Sequence, residues 1–327
     1  MQAVRFHSTG GPEVLVYETI PDPVPGPGEV LIKVEAAGMN FSDVLRRRGD
    51  NYPSPSPLPF IPGSEVAGTI AALGPGVTGI APGTLVYAAP RAGGYAQYVV
   101  AQAAGVIPIP DGITAAQATT LVIQGLTALF ALRHAGRLAA GESVLVEAAA
   151  GGVGSFAVQL AKLYGAGTVI AAASSEHKRG VALSLGADHA VDYTAPDWPL
   201  RVRELTGGRG ADIVLEMTGG ETVGQALDAL ADFGRMVVYG QASGAAAQVD
   251  PQRLTVPNQS VTGFYIGAYF QWPQMIKEAL AELVAHVAAG RLRLQVGAVL
   301  PLSQAVRAHQ LLEGRESTGK MVLQPWE

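Results

Sequence analysis

The run Ala148-Ala149-Ala150-Gly151-Gly152-Val153-Gly154 limits the possible folds of this chain more than any other stretch. A strand-like apolar segment, Ser143–Glu147, leads into it. A helix-like segment, Ser155–Tyr164, leads out, with Phe156, Val158, Leu160, Ala161 and Leu163 at its apolar positions. Strand, glycine turn and helix in that order build the phosphate-binding corner of a dinucleotide fold. Small residues let the backbone turn tightly and approach a pyrophosphate. The helix then directs its free N–H groups and positive dipole end toward the phosphate oxygens.

The pattern around this corner separates two regions. From residue 143 strands and helices alternate: Ser143–Glu147, Thr168–Ala173, His189–Tyr193, Asp212–Glu216, Arg235–Tyr239 and Val261–Tyr265 read as strands, with helices such as Glu221–Ala231 between most of them. Six strands with helical crossovers predict an α/β, doubly wound parallel (Rossmann) sheet. Residues 1 to about 118 are instead turn-rich, with strand-like Val30–Ala36, Val66–Leu73 and Thr84–Ala88 punctuated by Gly74-Pro75-Gly76, Ala81-Pro82-Gly83 and Pro110-Asp111-Gly112. That pattern predicts a β-rich, barrel-like domain. A helix over 114–132, capped by Thr114, carries the chain onward. After a helix near 273–289 the tail regains strand character at Gln295–Leu300 and Lys320–Leu323. The expected domains are therefore 1–118 plus 290–327, which is discontinuous, and 119–289. Tyr52–Pro62 holds five prolines, a stiff extended loop read either as a surface connection or as the wall of a substrate pocket.

Composition excludes several classes. The chain has 327 residues, 48% hydrophobic and 15% charged, with a net charge of −5. A large buried core is expected and disorder is not. The longest basic run is Arg46-Arg47-Arg48, so nucleic acid is not an expected partner. The opening Met1–Phe6 lacks the pattern of a signal peptide, and no uninterrupted apolar run reaches ~18 residues, so a cytoplasmic protein with no membrane partner is expected. No cysteine is present, which removes disulfides, thiol nucleophiles and thiolate metal sites. None of the six histidines is paired at metal-ligand spacing, and no metal residue is assigned.

The end of the second alternating strand selects between nicotinamide cofactors. An acidic residue about 20 positions beyond the glycine turn would bind a ribose 2′-hydroxyl and repel a 2′-phosphate. Here the strand closes Ala171-Ala172-Ala173 and Ser174 occupies that place, followed by Glu176, His177, Lys178 and Arg179. A hydroxyl and a cation suit a phosphate monoester, so NADPH is the expected cofactor. Lys178 and Arg179 also fit the solvated face of a helix.

A further set of motifs points to a family: Gly38-Met39-Asn40-Phe41-Ser42-Asp43, Pro62-Gly63-Ser64-Glu65-Val66-Ala67-Gly68, Gly125-Leu126-Thr127-Ala128, Gln159-Leu160-Ala161-Lys162 after the glycine turn, Gly186-Ala187-Asp188 and Gly319-Lys320-Met321-Val322-Leu323. Over its full length the chain resembles medium-chain dehydrogenases/reductases of the zinc-free quinone oxidoreductase type. The resemblance implies a GroES-like fold for the first domain. In the zinc alcohol dehydrogenase branch a cysteine stands at the position of Asn40 and a histidine at that of Ser64. The four-cysteine structural-zinc lobe is also missing around Ala89–Gln97. Glu65 alone remains, and one carboxylate cannot hold a catalytic zinc, which takes three protein ligands. The implied chemistry is hydride delivery to an already electrophilic acceptor, a quinone. An enal, enone or enoyl-thioester reductase is the alternative, and an NADPH-binding structural or sensory protein with little turnover is a third reading of another class.

The resemblance also assigns roles. Gly152, Val153 and Gly154 carry the pyrophosphate. Ser174, Lys178 and Tyr193 surround the 2′-phosphate, with Tyr193 alternatively a core aromatic. Gly240, Gln241, Phe264, Tyr265 and Ile266 line the nicotinamide by their backbones. Thr127 touches the cofactor from the connecting helix and Lys320 from the tail. Asn40 and Tyr52 are the expected acceptor-side residues, facing the nicotinamide across a cleft between the domains. Asn40 is alternatively a turn-former, and Leu45 stands where the family often has tyrosine. Asp43 is expected to hold Arg46 or Arg47. The last strand of the parallel sheet, with Gly267–Trp272 behind it, suggests a homodimer edge.

Overall fold

Period-two burial lays down the first unit. The computed structural model describes residues 1–50 and 52–326, so Asn51 and the last residue of the expected tail, Glu327, lie outside the described residues. The chain separates into two compact units, Met1–Val122 with Gln295–Glu327, and Ile123–Leu294. In the first unit the strands are β1 (Gln2–Phe6), β2 (Leu15–Thr19), β3 (Glu29–Gly38), β4 (Val66–Leu73), β5 (Leu85–Ala88), β6 (Tyr98–Gln102) and β7 (Ile107–Pro108). β3 organises them. It pairs antiparallel with β4 along one edge, and Glu29–Lys33 pair with β6 along the other. Val30, Ile32 and Val34 point inward with no exposure, as a strand with one core-facing side requires. The β3–β4 register shifts between Val34 and Ala36. At that place a Cβ on Gly68 would lie 2.0 Å from the Lys33 carbonyl oxygen, so only glycine fits there.

The second unit carries β8 (Ser143–Glu147), β9 (Thr168–Ala172), β10 (His189–Val191), β11 (Ala211–Glu216), β12 (Leu230–Val238) and β13 (Ser260–Gly263). All neighbours are parallel, in the order β10-β9-β8-β11-β12-β13. This is the doubly wound order, with its switch point between β8 and β11. All five residues of β8 are buried, because helices cover both faces of such a sheet. Leu145, Ile170, Val214 and Met236 form its core with Trp198.

The expected helix over 114–132 is helical but not uniform. Thr114 caps it through the Gln117 N–H. Widened π-turns then occupy Leu121–Gly125 and Ala131–Ala135 on either side of the regular segment Leu126–Phe130. The whole stretch Ala115–Ala135 has the length and hydropathy of a membrane span, but 78% of its most apolar window is buried within the structure, as in a core helix.

The tail supplies β14 (Val296–Pro301) and β15 (Lys320–Gln324). They pair parallel with each other, and β15 pairs antiparallel with Ala37 and Gly38 of β3. The tail thus completes the first unit's sheet, whose core includes Phe6, Ile32, Ile70, Val86, Met321 and Leu323. Several expected bounds need correction. β9, β10 and β13 stop at Ala172, Val191 and Gly263, short of Ala173, Tyr193 and Tyr265. The helix expected over Glu221–Ala231 is Thr222–Ala229, because Leu230 already pairs with Ala211 as the start of a longer β12. β1, β2, β6 and β7 escaped the sequence reading because short strands of mixed burial lack a clear alternation.

Candidate active site

The glycine turn closes β8 with Ala148 in the left-handed region at φ 47°, an unusual conformation for a residue with a side chain. Gly154 needs to be glycine: an added Cβ would lie 2.3 Å from the Ala148 carbonyl oxygen and 2.7 Å from Ala149 Cα. The helix Gly152–Leu163 begins at Gly151, and no side chain caps it. Its first N–H groups therefore remain open, as an anion site requires.

The carboxyl ends of β8 and β11 hold two buried acids that the motif reading missed. Glu147 and Glu216 follow the paired residues Val146 and Leu215 in adjacent strands, so they stand side by side at the switch point. Neither is exposed. Thr218 Oγ1 donates to Glu147 Oε2 at 2.8 Å, while the backbone N–H groups of Thr218 and Gly219 donate to Glu216 Oε1 at 2.9 and 2.6 Å. Burial, then the neighbouring Glu216 charge, pushes Glu147 up to about 8, and burial also raises Glu216. Each carboxyl leaves one oxygen without a partner. The available signal was two apolar strands both ending in Glu before glycine-rich turns.

The other expected cofactor residues of this unit gather at the same end of the sheet. Ser174 follows β9, half-buried. Ser175 caps the helix Glu176–Ser184 by accepting from the Lys178 N–H. Lys178 is half-buried. Arg179 bonds to Asp192 at 2.9 Å and to the Ala173 carbonyl at 3.1 Å. Arg179 is thus a strut between β9 and the end of β10. Tyr193 lies in the turn after β10 and packs on the core. Gly240 follows β12, where a Cβ would meet the Met217 carbonyl at 2.8 Å. The exposed Gln241 folds back to donate to the Gly244 carbonyl at 3.1 Å. Phe264, nearly buried, donates its N–H to Val238 at 2.9 Å. Tyr265 is exposed and Ile266 opens a short 3-10 turn. Thr127 is buried in Leu126–Phe130.

In the first unit Asn40, Glu65 and Lys320 converge. Lys320 Nζ donates to Glu65 Oε2 at 2.8 Å and to Asn40 Oδ1 at 2.9 Å, and Asn40 Nδ2 donates to Glu65 Oε2 at 2.8 Å. Lys320 and Glu65 have no exposed surface. Burial lowers the Lys320 pKa, and the Glu65 charge opposes that. The geometry places Lys320, expected beside the cofactor, in this triad. Its approach also needs Gly38, where a Cβ would lie 2.7 Å from Lys320 Cε.

Asn40 also starts the helix Phe41–Arg48, its N–H donating to Asp43 Oδ2 at 2.9 Å. Asp43 further accepts from the Gly63 N–H at 3.1 Å and from the Tyr95 hydroxyl at 3.3 Å. It does not hold Arg46 or Arg47 as expected. Arg46 instead pins the proline loop through Ser56 and the Pro55 carbonyl and lies over the rings of Tyr52 and Phe60, at 5.0 and 4.7 Å. Arg47 turns to Glu313 at 2.7 Å. Helix geometry sends these consecutive side chains in different directions, which a sequence neighbour rule cannot see.

A catalytic zinc does not fit these residues. The positions matched to zinc ligands hold Asn40 and the half-buried Ser64, and the one carboxylate is already bonded to an ammonium. Among the described residues no cluster of three or more His, Asp or Glu side chains could hold a metal.

Residues 26–111 match the alcohol dehydrogenase GroES-like domain and residues 152–284 the zinc-binding dehydrogenase domain. The chain is 37% identical over 324 residues to a quinone oxidoreductase of Pseudomonas aeruginosa, covering 98% of this chain and 99% of that one. It is 35% identical to a 2-haloacrylate reductase of a Burkholderia species, covering 99% of both. The solved Escherichia coli quinone oxidoreductase, complexed with NADPH, superposes with a TM-score of 0.93 at 34% identity, covering 99% of this chain and 100% of that one. The doubly wound sheet, the GroES-like unit and these full-length likenesses together establish that the chain belongs to the quinone oxidoreductase branch of the medium-chain dehydrogenase/reductase superfamily of oxidoreductases.

Proposed function

We propose that this protein is an NADPH-dependent oxidoreductase that reduces a quinone without a metal. The observation that carries the cofactor assignment is the carboxyl end of β9. Ser174 stands there with Lys178 one helical turn on, and no acid occupies the place that would repel a 2′-phosphate. NADPH supplies the hydride when bound. Gly152, Val153 and Gly154 hold the pyrophosphate at the uncapped helix start, Ser174, Lys178 and Tyr193 take the 2′-phosphate end, and the backbone of Gly240, Gln241, Phe264, Tyr265 and Ile266, with Thr127, serves the nicotinamide end.

Asn40 and Tyr52 are the proposed acceptor-side residues. The triad fixes the Asn40 amide: its oxygen faces the Lys320 ammonium and its nitrogen the Glu65 carboxylate. The second Nδ2 hydrogen is then the one offered to a carbonyl oxygen that gains charge as hydride arrives. Lys320 acts behind Asn40, as a positioning residue.

The 2-haloacrylate reductase likeness favours a second reading, reduction of an activated carbon–carbon double bond by the same cofactor. Steady-state turnover of a panel of quinones and enones with NADPH and with NADH separates the two. Faster turnover of enones than of every quinone overturns the quinone assignment, and a preference for NADH overturns the cofactor assignment. We further propose a cytoplasmic homodimer joined along β13. Light scattering that gives a stable 33.7 kDa monomer at micromolar concentration overturns the dimer.

A further inference from the structure

Gly152 is a glycine for a reason beyond phosphate approach. A Cβ built on it would lie 2.0 Å from Nε2, 2.2 Å from Cδ and 2.4 Å from Oε1 of Gln124. The Gln124 carboxamide therefore fills the space over the first residue of the helix Gly152–Leu163. Gln124 comes from the π-turn Leu121–Gly125, and such widened turns re-aim side chains and recur at functional sites. The following Gly125 packs tightly, with a Cβ there only 2.9 Å from Leu283 Cδ1, so this segment is held close to its neighbours.

Gln124 is only 8% exposed, and its buried Oε1 has no partner. The unpaired oxygen calls for a donor, which no phosphate supplies, so only the NH2 end of the carboxamide can meet an anion. It lies against a helix start whose own N–H groups are uncapped. An anion there meets a positive dipole end and open donors. A pyrophosphate offers only acceptors, so it would engage the NH2 end of the carboxamide, which supplies two donors.

We propose that Gln124 contacts the cofactor: its carboxamide N–H groups donate to the pyrophosphate held over Gly152, adding a side-chain donor to the backbone site. The inference rests on the NADPH reading above. Gln124 is then a determinant of dinucleotide affinity that acts on the pyrophosphate and not on the 2′-phosphate.

Two variants test it. Gln124→Met keeps the length and removes the donors, and Gln124→Glu keeps the shape and places a negative charge against the phosphates. NADPH affinity is measured by fluorescence titration and adenosine 2′-monophosphate affinity by calorimetry, since the latter lacks the pyrophosphate. For Gln124→Met, NADPH should bind about 10-fold more weakly, the size of a lost hydrogen bond to a charged group. Gln124→Glu should weaken it further, while adenosine 2′-monophosphate binds both variants within about twofold of the parent. Parent-like NADPH affinity in both variants overturns the proposal alone. So does equal weakening of both nucleotides, which marks a structural role. A parent protein that binds NADPH no better than NADH overturns the cofactor reading, and the proposal then fails if the variants leave the binding of both dinucleotides unchanged.

Discussion

Lys320 and Glu65 form a 2.8 Å ion pair in which neither side chain has any exposed surface. Removing one partner strands a buried charge, which costs roughly 3–5 kcal/mol. Lys320→Met should therefore be strongly destabilised in denaturant melts. The double variant Lys320→Met with Glu65→Gln should recover much of that loss, because no charge is then left unpaired. A double variant that loses as much stability as Lys320→Met and Glu65→Gln together would show that the two side chains contribute independently.

Stability should depend on pH through Glu147. In the unfolded chain it titrates near 4.5, and in the fold it is pushed up to about 8 by burial and by Glu216. Between those values the folded state holds a proton that the unfolded state has released, so stability falls as pH rises across that window. Tyr239, which faces both carboxyls, stays neutral throughout, its pKa raised by burial. Glu147→Gln cannot ionise, and its melting temperature should fall less between about pH 5 and about pH 8, the span of that window. Parallel curves for parent and variant would remove Glu147 as the source.

Lys178→Ala should weaken NADPH selectively, by about 10- to 150-fold, the range for a lost charge-assisted hydrogen bond. NADH binding, which involves no 2′-phosphate, should change little. Equal losses for the two cofactors would place the effect in the helix Glu176–Ser184 rather than in phosphate recognition.

Asn40→Ala should slow hydride transfer to a sluggish enone in stopped-flow measurements by about 100- to 1000-fold, the order seen when one donor to a developing oxyanion is lost. Tyr52→Phe should slow it less. Parent rates in both variants would place the acceptor elsewhere.

Protein purified without metal affinity should contain zinc well below one atom per chain, and a chelator should leave turnover unchanged. Stoichiometric zinc together with chelator-sensitive turnover would overturn metal-free reduction.

The dinucleotide corner was legible in the sequence because its requirements are local. Ala148–Gly154 must turn within a few residues, and β8 and the following helix flank it directly. The doubly wound sheet followed from the alternation of strands and helices. The Lys320–Asn40–Glu65 triad was not legible in the same way. Its members come from three distant segments, and Asn40 read alone gives either a turn-former or a substrate donor. Gln124 was hidden for another reason. Its direction depends on a π-turn, and a regular 3.6-residue period aims it differently. The Glu147–Glu216 pair needed the β8–β11 register, a property of two strands that neither sequence contains by itself.

The pairing of β15 with β3 joins positions 37–38 to 322–323, and it orders events during synthesis. The unit Ile123–Leu294 is one continuous stretch of chain and can fold while the ribosome is still translating the tail. The amino-terminal sheet is completed only by the tail. The edge of β3 at residues 37 and 38 that meets β15 stays open, and Asn40 lacks its ammonium, until β15 emerges. A nascent chain stalled before that point carries an open strand edge and an uncompensated Glu65, the kind of surface that chaperones bind and proteases sample.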